Sequence, residues 1–257
     1  MSSYNAPIRD MQFVMKELAG LDAVSALPGC EEATADVVDA ILEEANKFAS
    51  GVLAPLNWSG DQEGARWDNG EVRTAAGWKD AYTQFAESGW TALACEPEFG
   101  GQGLPRTVQI LVDEMLSGTN LSFGLFPGLT RGAAEAIADH ASEELKALYL
   151  PRMISGEWTG AMALPAGGAG SDLGLLTSRA VPVGDGRYAV TGTKIFISSG
   201  DHDFGGNVIH LVLARLPDAP EGVKGISLFL VPKFLPAADG GLGEANSFSV
   251  GALEHKM

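Results

Sequence analysis

A glycine-rich loop and a polar–apolar strand are the parts of this chain best suited to chemistry. The loop, residues 166–170 (Ala-Gly-Gly-Ala-Gly), ends in a Ser-Asp pair at 171–172, and a predicted strand further on carries Lys194, Phe196 and Ser198. Glycines let backbone N–H groups come close to an anionic group, and a serine hydroxyl adds a donor. Phe196 and Ser198 are two positions apart, so on a strand they point to the same side. Together these residues suit an anionic group and the face and edge of a heteroaromatic ring.

Plainer interpretations of the same residues stay open. Gly168 and Gly170 begin the spacing of a G-x-G-x-x-G dinucleotide fingerprint, but Leu173 stands where the third glycine belongs, and residues 175–183 read as a strand where a helix is required. Taken alone, the glycine-rich stretch is typical of an ordinary turn and Phe196 of a core side chain. The sequence context has to decide between these interpretations.

The first half of the chain is predicted to be helical. Between Glu31 and Leu56, apolar residues recur every three or four positions, which indicates a helix with one buried face. A second helix is expected to end near Gly89 and a third follows it; Ser142 is placed to cap a fourth, which Pro151 breaks or restarts. The residues predicted to face the core are Val37, Ile41, Ala45, Phe48, Val52, Trp78, Tyr82, Phe85, Val108, Leu111, Val112 and Met115.

After about residue 156 the composition favours strands. Short apolar runs bounded by Gly, Pro and Asp occupy residues 187–197, 208–214 and 226–231. Because no helix pattern separates them, they predict an antiparallel barrel or sandwich. The sequence therefore predicts an α+β fold, with a helical domain over residues 1–156 and a β domain over residues 157–257. Residues 236–243 read as a loop and residues 247–257 as a further strand.

Composition narrows the class of protein. The net charge of −16 argues against a nucleic-acid partner, which needs a basic surface. The hydrophobic content of 46% is typical of a soluble globular protein, and no apolar run reaches the ~20 residues of a membrane span. Cys30 and Cys95 stand apart and the histidines lack spaced partners, so neither disulfides nor a metal site is predicted. Residues 1–4 lack the features of a secretory signal, so a reduced, cytoplasmic protein is expected.

Longer stretches of the chain resemble the acyl-CoA dehydrogenase family. Besides the loop and strand, the similar segments are residues 89–105, which include EPEFGGQGLP, and residues 142–158, which include SEELK and SGEW. The resemblance covers roughly residues 35–257. The leader Tyr4–Leu21 and the Asp-His-Asp-Phe segment at 201–204 resemble a long subgroup that includes 3-(methylthio)propionyl-CoA dehydrogenases.

The resemblance implies an FAD-dependent enzyme that removes two hydrogens from an acyl-CoA thioester. A carboxylate takes the α-proton and the flavin takes the β-hydride, while the protein positions and tunes the cofactor. The resemblance also implies electron-transfer flavoprotein as electron acceptor and a homo-oligomeric full-length form. The implied flavin-binding positions are Met162, Leu164, Pro165, Gly170, Ser171, Phe196, Ile197 and Ser198. Ser171 would also contact the CoA part of the substrate.

Two features depart from the family's pattern. Where the family typically reads Thr-Glu-Pro, residues 165–167 read Pro-Ala-Gly, so one backbone N–H and one hydroxyl expected at the flavin's pyrimidine edge are lost. The family's catalytic Glu lies in a C-terminal helical domain, which would follow Met257, so the sequence assigns no catalytic residue. Glu244 and Glu254 read as solvated surface charges. The chain is therefore expected to be an N-terminal fragment with an incomplete β domain and no C-terminal helical domain.

Three functions stay open at this point. The first is an acyl-CoA dehydrogenase whose fragment is inactive, and the second is an acyl-CoA oxidase of the same fold, which passes electrons to O₂. The third is a non-catalytic flavin- or CoA-binding remnant, which Pro165 and the expected missing domain favour. Acyl chain length, electron acceptor and oligomeric state are not determined by these residues.

Overall fold

Helices fill the first part of the structure, a computed structural model that describes residues 4–237 and 239–254. The helices are α1 (Ile8–Phe13), α2 (Leu21–Ser25), α3 (Ala35–Phe48), α4 (Ala54–Glu63), α5 (Trp78–Glu87), α6 (Arg106–His140) and α7 (Glu143–Ile154). Five-residue π-helical turns follow α1 and α3, at Val14–Leu18 and Ala49–Leu53. Single 3₁₀ turns lie at Pro97–Phe99, Leu173–Leu175 and Val223–Gly225.

The strands follow, apart from one early hairpin. They are β1 (Arg66–Asp68), β2 (Glu71–Arg73), β3 (Trp158–Ala163), β4 (Arg179–Gly184), β5 (Arg187–Thr191), β6 (Asn207–Arg215), β7 (Ile226–Pro232), β8 (Phe234–Pro236) and β9 (Leu242–Ala245). Helices followed by a sheet confirm the α+β class. A domain division at residue 157 stays a prediction, although the main sheet does begin at Trp158.

The buried face of α3 lies beside the predicted one. Val38 and Leu42 are fully buried and Ala45 nearly so, whereas Val37 is 39% exposed and Ile41 only partly buried. Positions 37–38 and 41–42 are both pairs of apolar residues, so helical periodicity alone does not choose between two adjacent stripes. The packing of α3 against the other helices makes that choice.

The predicted core positions of α5 and α6, the predicted end of α5 and the predicted cap of α7 are confirmed. The core positions predicted on α5 and α6 are all buried. Beyond α5, Gly89 has a φ of +77°, its N–H donates to the Ala86 carbonyl, and the N–H of Trp90 donates to the Phe85 carbonyl, which is a Schellman motif. The Ser142 hydroxyl accepts a bond from the N–H of Leu145 at 3.5 Å and so caps α7.

One helix departs from its predicted course and another is kinked. Pro151 lies inside α7, which continues to Ile154, because Leu150 and Met153 on either side are buried in the core and outweigh the lost hydrogen bond. In α6, Asn120 has non-helical backbone angles (φ −151°, ψ 86°), and its Oδ1 accepts a bond from the N–H of Phe123 at 3.1 Å. Asn120 therefore caps the second half of α6 at a kink.

The main sheet is mixed, which corrects the antiparallel prediction. Its order is β3-β6-β4-β5, with β7 also paired to β6. β7 is antiparallel to β6, but β3 runs parallel to β6, with Trp158 opposite Asn207 and Ala163 opposite Val212. Parallel neighbours need a long connection, and residues 164–206 provide it. That connection carries all the candidate functional residues except Met162, which lies on β3.

The predicted ends of several strands are also wrong. The strand expected over residues 187–197 stops at Thr191, and the described part of the expected strand 247–257 contains no strand residues. The expected loop 236–243 instead joins the paired strands β8 and β9. The positions after residue 254 lie outside the described residues.

The segment at residues 201–204 ties the helices to the sheet. The Phe204 ring lies 4.9 Å from the Tyr82 ring and 4.6 Å from the Phe126 ring. The carboxylate of Asp203 accepts bonds from the N–H and the hydroxyl of Thr74, at 3.2 and 2.6 Å. Asp201 accepts bonds from Lys233 Nζ at 2.6 Å and from the N–H of Val72 at 3.4 Å. The loop before this segment is thus anchored at its C-terminal end.

Candidate functional site

The glycine-rich loop begins where β3 ends. Ala166 and Ala169 exchange two backbone hydrogen bonds, at 3.1 and 2.9 Å, and enclose Gly167 and Gly168 in a tight turn. A side chain placed on Gly167, Gly168 or Gly170 would meet no atom within 4 Å, and none of the three has a positive φ. The protein's own packing therefore gives no reason for glycine here, whereas close approach of a bound group would.

The segment that carries Phe196 is a loop and not a strand, so the prediction that Phe196 and Ser198 share a strand face is wrong. Phe196 has a φ of +57° and Ser199 one of +56°. The strand β5 ends at Thr191, and the next residue, Gly192, has a φ of +154°; a Cβ there would lie 2.5 Å from the Ser178 hydroxyl oxygen. Only a glycine accommodates both conditions.

Two hydrogen bonds nevertheless bring this segment to the glycine-rich loop. Lys194 Nζ donates to the Leu164 carbonyl at 3.1 Å, and the N–H of Ile195 donates to the Pro165 carbonyl at 3.2 Å. Burial lowers the pKa of Lys194, which is consistent with its aliphatic stem lying between the two loops. The site is therefore the meeting of two loops and not one face of a strand.

The candidate residues differ in how much of their surface is accessible. Ser171, Gly170 and Ser198 are exposed, whereas Leu164, Pro165 and Ile197 are half-buried. Met162 at the end of β3 is 38% exposed and Phe196 is 51% exposed. Both large apolar side chains thus keep a substantial part of their surface accessible to solvent.

The donors at the site fit an anionic, heterocyclic group, with one gap. Within residues 4–237 and 239–254, the backbone N–H groups of Gly167, Gly168, Gly170 and Ser171 donate to no protein acceptor. The hydroxyls of Ser171 and Ser198 are likewise without a protein partner in that part of the chain. The gap is Pro165, which has no N–H to offer at the edge where the first loop meets the second.

The sequence did not identify two side chains, Arg215 and His210, whose hydrogen bonds reach the chain at the C-terminal ends of the two loops. Arg215 donates from its guanidinium to the carbonyls of Gly174, Leu176 and Pro220, at 2.8, 3.0 and 3.2 Å. His210 lies within hydrogen-bond distance of the Gly200 carbonyl at the end of the second loop. Both side chains lie on β6, and the carbonyls of Leu176 and Gly174 are 39 and 41 residues away from Arg215 along the chain, so no local pattern reveals those two contacts.

The described residues offer no metal centre and no membrane-spanning helix. Among residues 4–237 and 239–254, His, Cys, Asp and Glu side chains form no group of three or more that could hold a metal ion. In the same part of the chain, no helix has the length and apolar character needed to cross a bilayer. Glu244 and Glu254 are exposed, as predicted for surface charges.

Known proteins share both the sequence and the fold. The profile of the acyl-CoA dehydrogenase N-terminal domain matches residues 36–157. The chain is 46% identical to 3-methylmercaptopropionyl-CoA dehydrogenase of Ruegeria pomeroyi, over 99% of this chain and 43% of that protein. It is 36% identical to a butyryl-CoA dehydrogenase of Syntrophomonas wolfei, over 99% of this chain and 42% of that protein.

A solved structure supports the same assignment at the level of the fold. The acyl-CoA dehydrogenase of Bacillus anthracis, complexed with FAD, matches with a TM-score of 0.62 and 23% identity, over 80% of this chain and 33% of that one. The helices and the sheet thus define the chain as part of an acyl-CoA dehydrogenase fold. The chain belongs to the acyl-CoA dehydrogenase family and spans less than half the length of the two curated relatives.

Proposed function

We propose that this chain is the flavin-binding part of an enzyme that performs FAD-dependent α,β-dehydrogenation of an acyl-CoA thioester. The observation that carries the proposal is the junction of the two loops, where Lys194 and Ile195 bond the carbonyls of Leu164 and Pro165. The residues on either side of it carry unpaired N–H donors, two exposed serines and two partly exposed apolar side chains. The relatives are named as acyl-CoA dehydrogenases, and one structure of the same fold holds FAD.

The residues of this chain would bind and orient the cofactor. When bound, FAD supplies the acceptor for the substrate's β-hydride. The N–H groups of Gly170 and Ser171 are placed to bind anionic or carbonyl oxygens, and the Ser198 hydroxyl offers a donor for a ring edge. Met162, Leu164, Phe196 and Ile197 would pack on the ring system. Ser171 would in addition contact the CoA moiety.

The proposal extends to partners of the longer enzyme. Electron-transfer flavoprotein is the proposed electron acceptor, and a homo-oligomer is the proposed form of the full-length protein. An acyl-CoA oxidase would use the same site and differ in passing electrons to O₂, so peroxide release by a full-length form separates the two. Pro165 favours the other alternative, a remnant that binds flavin or CoA without catalysis.

Binding of FAD to the purified chain tests the proposal through the glycine-rich loop. Replacing Gly170→Val adds a side chain that meets nothing in the protein but occupies the space of a closely bound group. We expect FAD affinity, measured by quenching of flavin fluorescence, to fall at least ~10-fold, the loss of about 1.4 kcal/mol. The matched control is Gly251→Val, which also adds a side chain into open space, but outside the site. Equal affinity for both variants would refute binding at this loop.

Restoring the family's residues at positions 165–167 is expected to tighten FAD binding. The substitutions Pro165→Thr, Ala166→Glu and Gly167→Pro add one N–H and one hydroxyl at residue 165, each worth about 1 kcal/mol when bonded, and remove the N–H of residue 167. Because the carbonyl of residue 165 remains, its bond from Ile195 is retained. We expect a gain of ~10-fold or more in the same titration. Unchanged or weaker binding would show that the native loop already binds the ring edge in another way.

A further inference from the structure

His210 occupies an unusual position behind the second loop. It lies on β6 between β3 and β7 and is 5% exposed. Its Nδ1 is 3.0 Å from the Val231 carbonyl oxygen, and its Nε2 is 2.6 Å from the Gly200 carbonyl oxygen. The ring therefore bridges the neighbouring strand and the end of the loop that carries Phe196 and Ser198.

Both partners of the ring are acceptors. A carbonyl oxygen only accepts, so each ring nitrogen must donate to make its bond, and a neutral imidazole carries a single N–H. With one donor, a ring lone pair would face a carbonyl lone pair inside the core, where an unmade hydrogen bond is costly. The 2.6 Å contact to Gly200 is shorter than an ordinary N–H···O bond, the direction in which charge-assisted bonds differ from neutral ones.

We propose that His210 donates from both ring nitrogens and thereby positions the loop of residues 194–200 for the bound ring. This inference rests on the proposed flavin site, since that loop carries the ring-packing and hydroxyl groups. His210 touches neither cofactor nor substrate; it acts through the Gly200 carbonyl.

The surroundings of His210 fit this role. The Phe248 ring packs against the imidazole at 4.8 Å. The titratable and charged groups of the adjoining elements are Asp201, His202, Asp203 and Lys233. Asp201 bonds Lys233, and burial is the principal cause of the lowered pKa of His202. Neither nitrogen of His210 depends on these side chains for a partner.

The first test needs no cofactor. Long-range ¹H–¹⁵N spectra of the native chain at pH 7 distinguish a ring with two N–H groups from either neutral tautomer. We expect the two-donor signature for His210. A single neutral tautomer would overturn the two-donor bridge, whether or not the chain binds FAD.

The second test uses variants with matched packing. His210→Phe keeps a ring beside Phe248 but removes both donors, His210→Gln keeps a side-chain amide that can donate to one carbonyl, and Phe248→Leu keeps the imidazole. We expect exchange of the Ile195 and Gly200 amides, both bonded in the native loop, to accelerate at least ~10-fold in His210→Phe, less in His210→Gln, and little in Phe248→Leu. FAD affinity is expected to fall most in His210→Phe, less in His210→Gln and least in Phe248→Leu.

The outcomes separate this inference from the proposed function. Exchange at Ile195 and Gly200 that stays native in folded His210→Phe would overturn the positioning role. If the native chain binds no FAD, the proposed function fails, while the exchange and the ring spectra still decide the role of His210. If His210→Phe does not fold, the ring spectra of the native chain and the amide exchange of His210→Gln at Ile195 and Gly200 decide whether His210 positions the loop.

Discussion

The isolated chain of residues 1–257, supplied with FAD, is expected not to dehydrogenate acyl-CoA. The reaction needs a base held at the α-carbon, and a positioned general base contributes ~10²–10⁴-fold, with orientation of the reactants adding more. Glu244 and Glu254, the acidic residues near the C-terminal side of the described chain, are exposed and lack the buried setting of a poised base. We therefore expect turnover at least ~10²–10⁴-fold below that of a full-length relative.

The turnover of the isolated chain is measured as the reduction of an artificial electron acceptor in the presence of FAD and acyl-CoAs of several chain lengths. The Ruegeria pomeroyi relative, assayed in parallel, controls for substrate and acceptor. FAD binding by the same preparation shows whether inactivity coexists with a formed flavin site. Turnover near that of the relative would mean that a base lies within these residues and that the assignment of no catalytic residue is wrong.

The folded chain is expected to lose about 3 kcal/mol of stability as the pH falls from 6.5 to 4 because of His202. Burial lowers the pKa of this imidazole from 6.5 to about 4. Its Nδ1 accepts a bond from the N–H of Phe204 at 3.2 Å, so its Nε2–H donates to Thr159 Oγ1 at 2.8 Å, and the ring is neutral when folded. Between these pH values the unfolded chain binds a proton that the folded chain does not. The contribution of His202 to the free energy of unfolding is therefore fully present above pH 6.5 and is lost as the pH falls to 4.

Urea unfolding of the native chain and of His202→Asn at several pH values isolates this contribution. The asparagine retains an acceptor for Phe204 but does not titrate, so the stability difference between the two proteins should shrink by about 3 kcal/mol as the pH falls to 4. His140→Asn, at an exposed histidine, should leave the native slope in place. A native chain and a His202→Asn variant with parallel pH profiles would contradict the neutral, buried ring.

The chemistry of the candidate residues could be inferred from their types, but their arrangement could not. Glycines and one serine at 166–171 and an aromatic–serine pair at 196–198 indicated a loop with donors and a ring-packing surface, and hydrogen bonds join the starts of the two segments through Leu164, Pro165, Lys194 and Ile195. The predicted strand through Phe196 was wrong: β5 stops at Thr191, and Gly192, which follows, packs so close to Ser178 that a Cβ would lie 2.5 Å from the Ser178 hydroxyl oxygen. Local propensity carries no information about that contact.

By itself the sequence determined the helical first half, the later strands and the family, because periodic apolar spacing and capping residues act over a few positions. It also determined that Pro165 removes a donor, since that is a property of the residue itself. Only the tertiary structure decided which stripe of α3 is buried, that β3 and β6 run parallel, and that His210 meets Gly200 and Val231. Those outcomes depend on contacts between distant segments, whose energies are set by the packing of the whole fold and not by neighbouring residues.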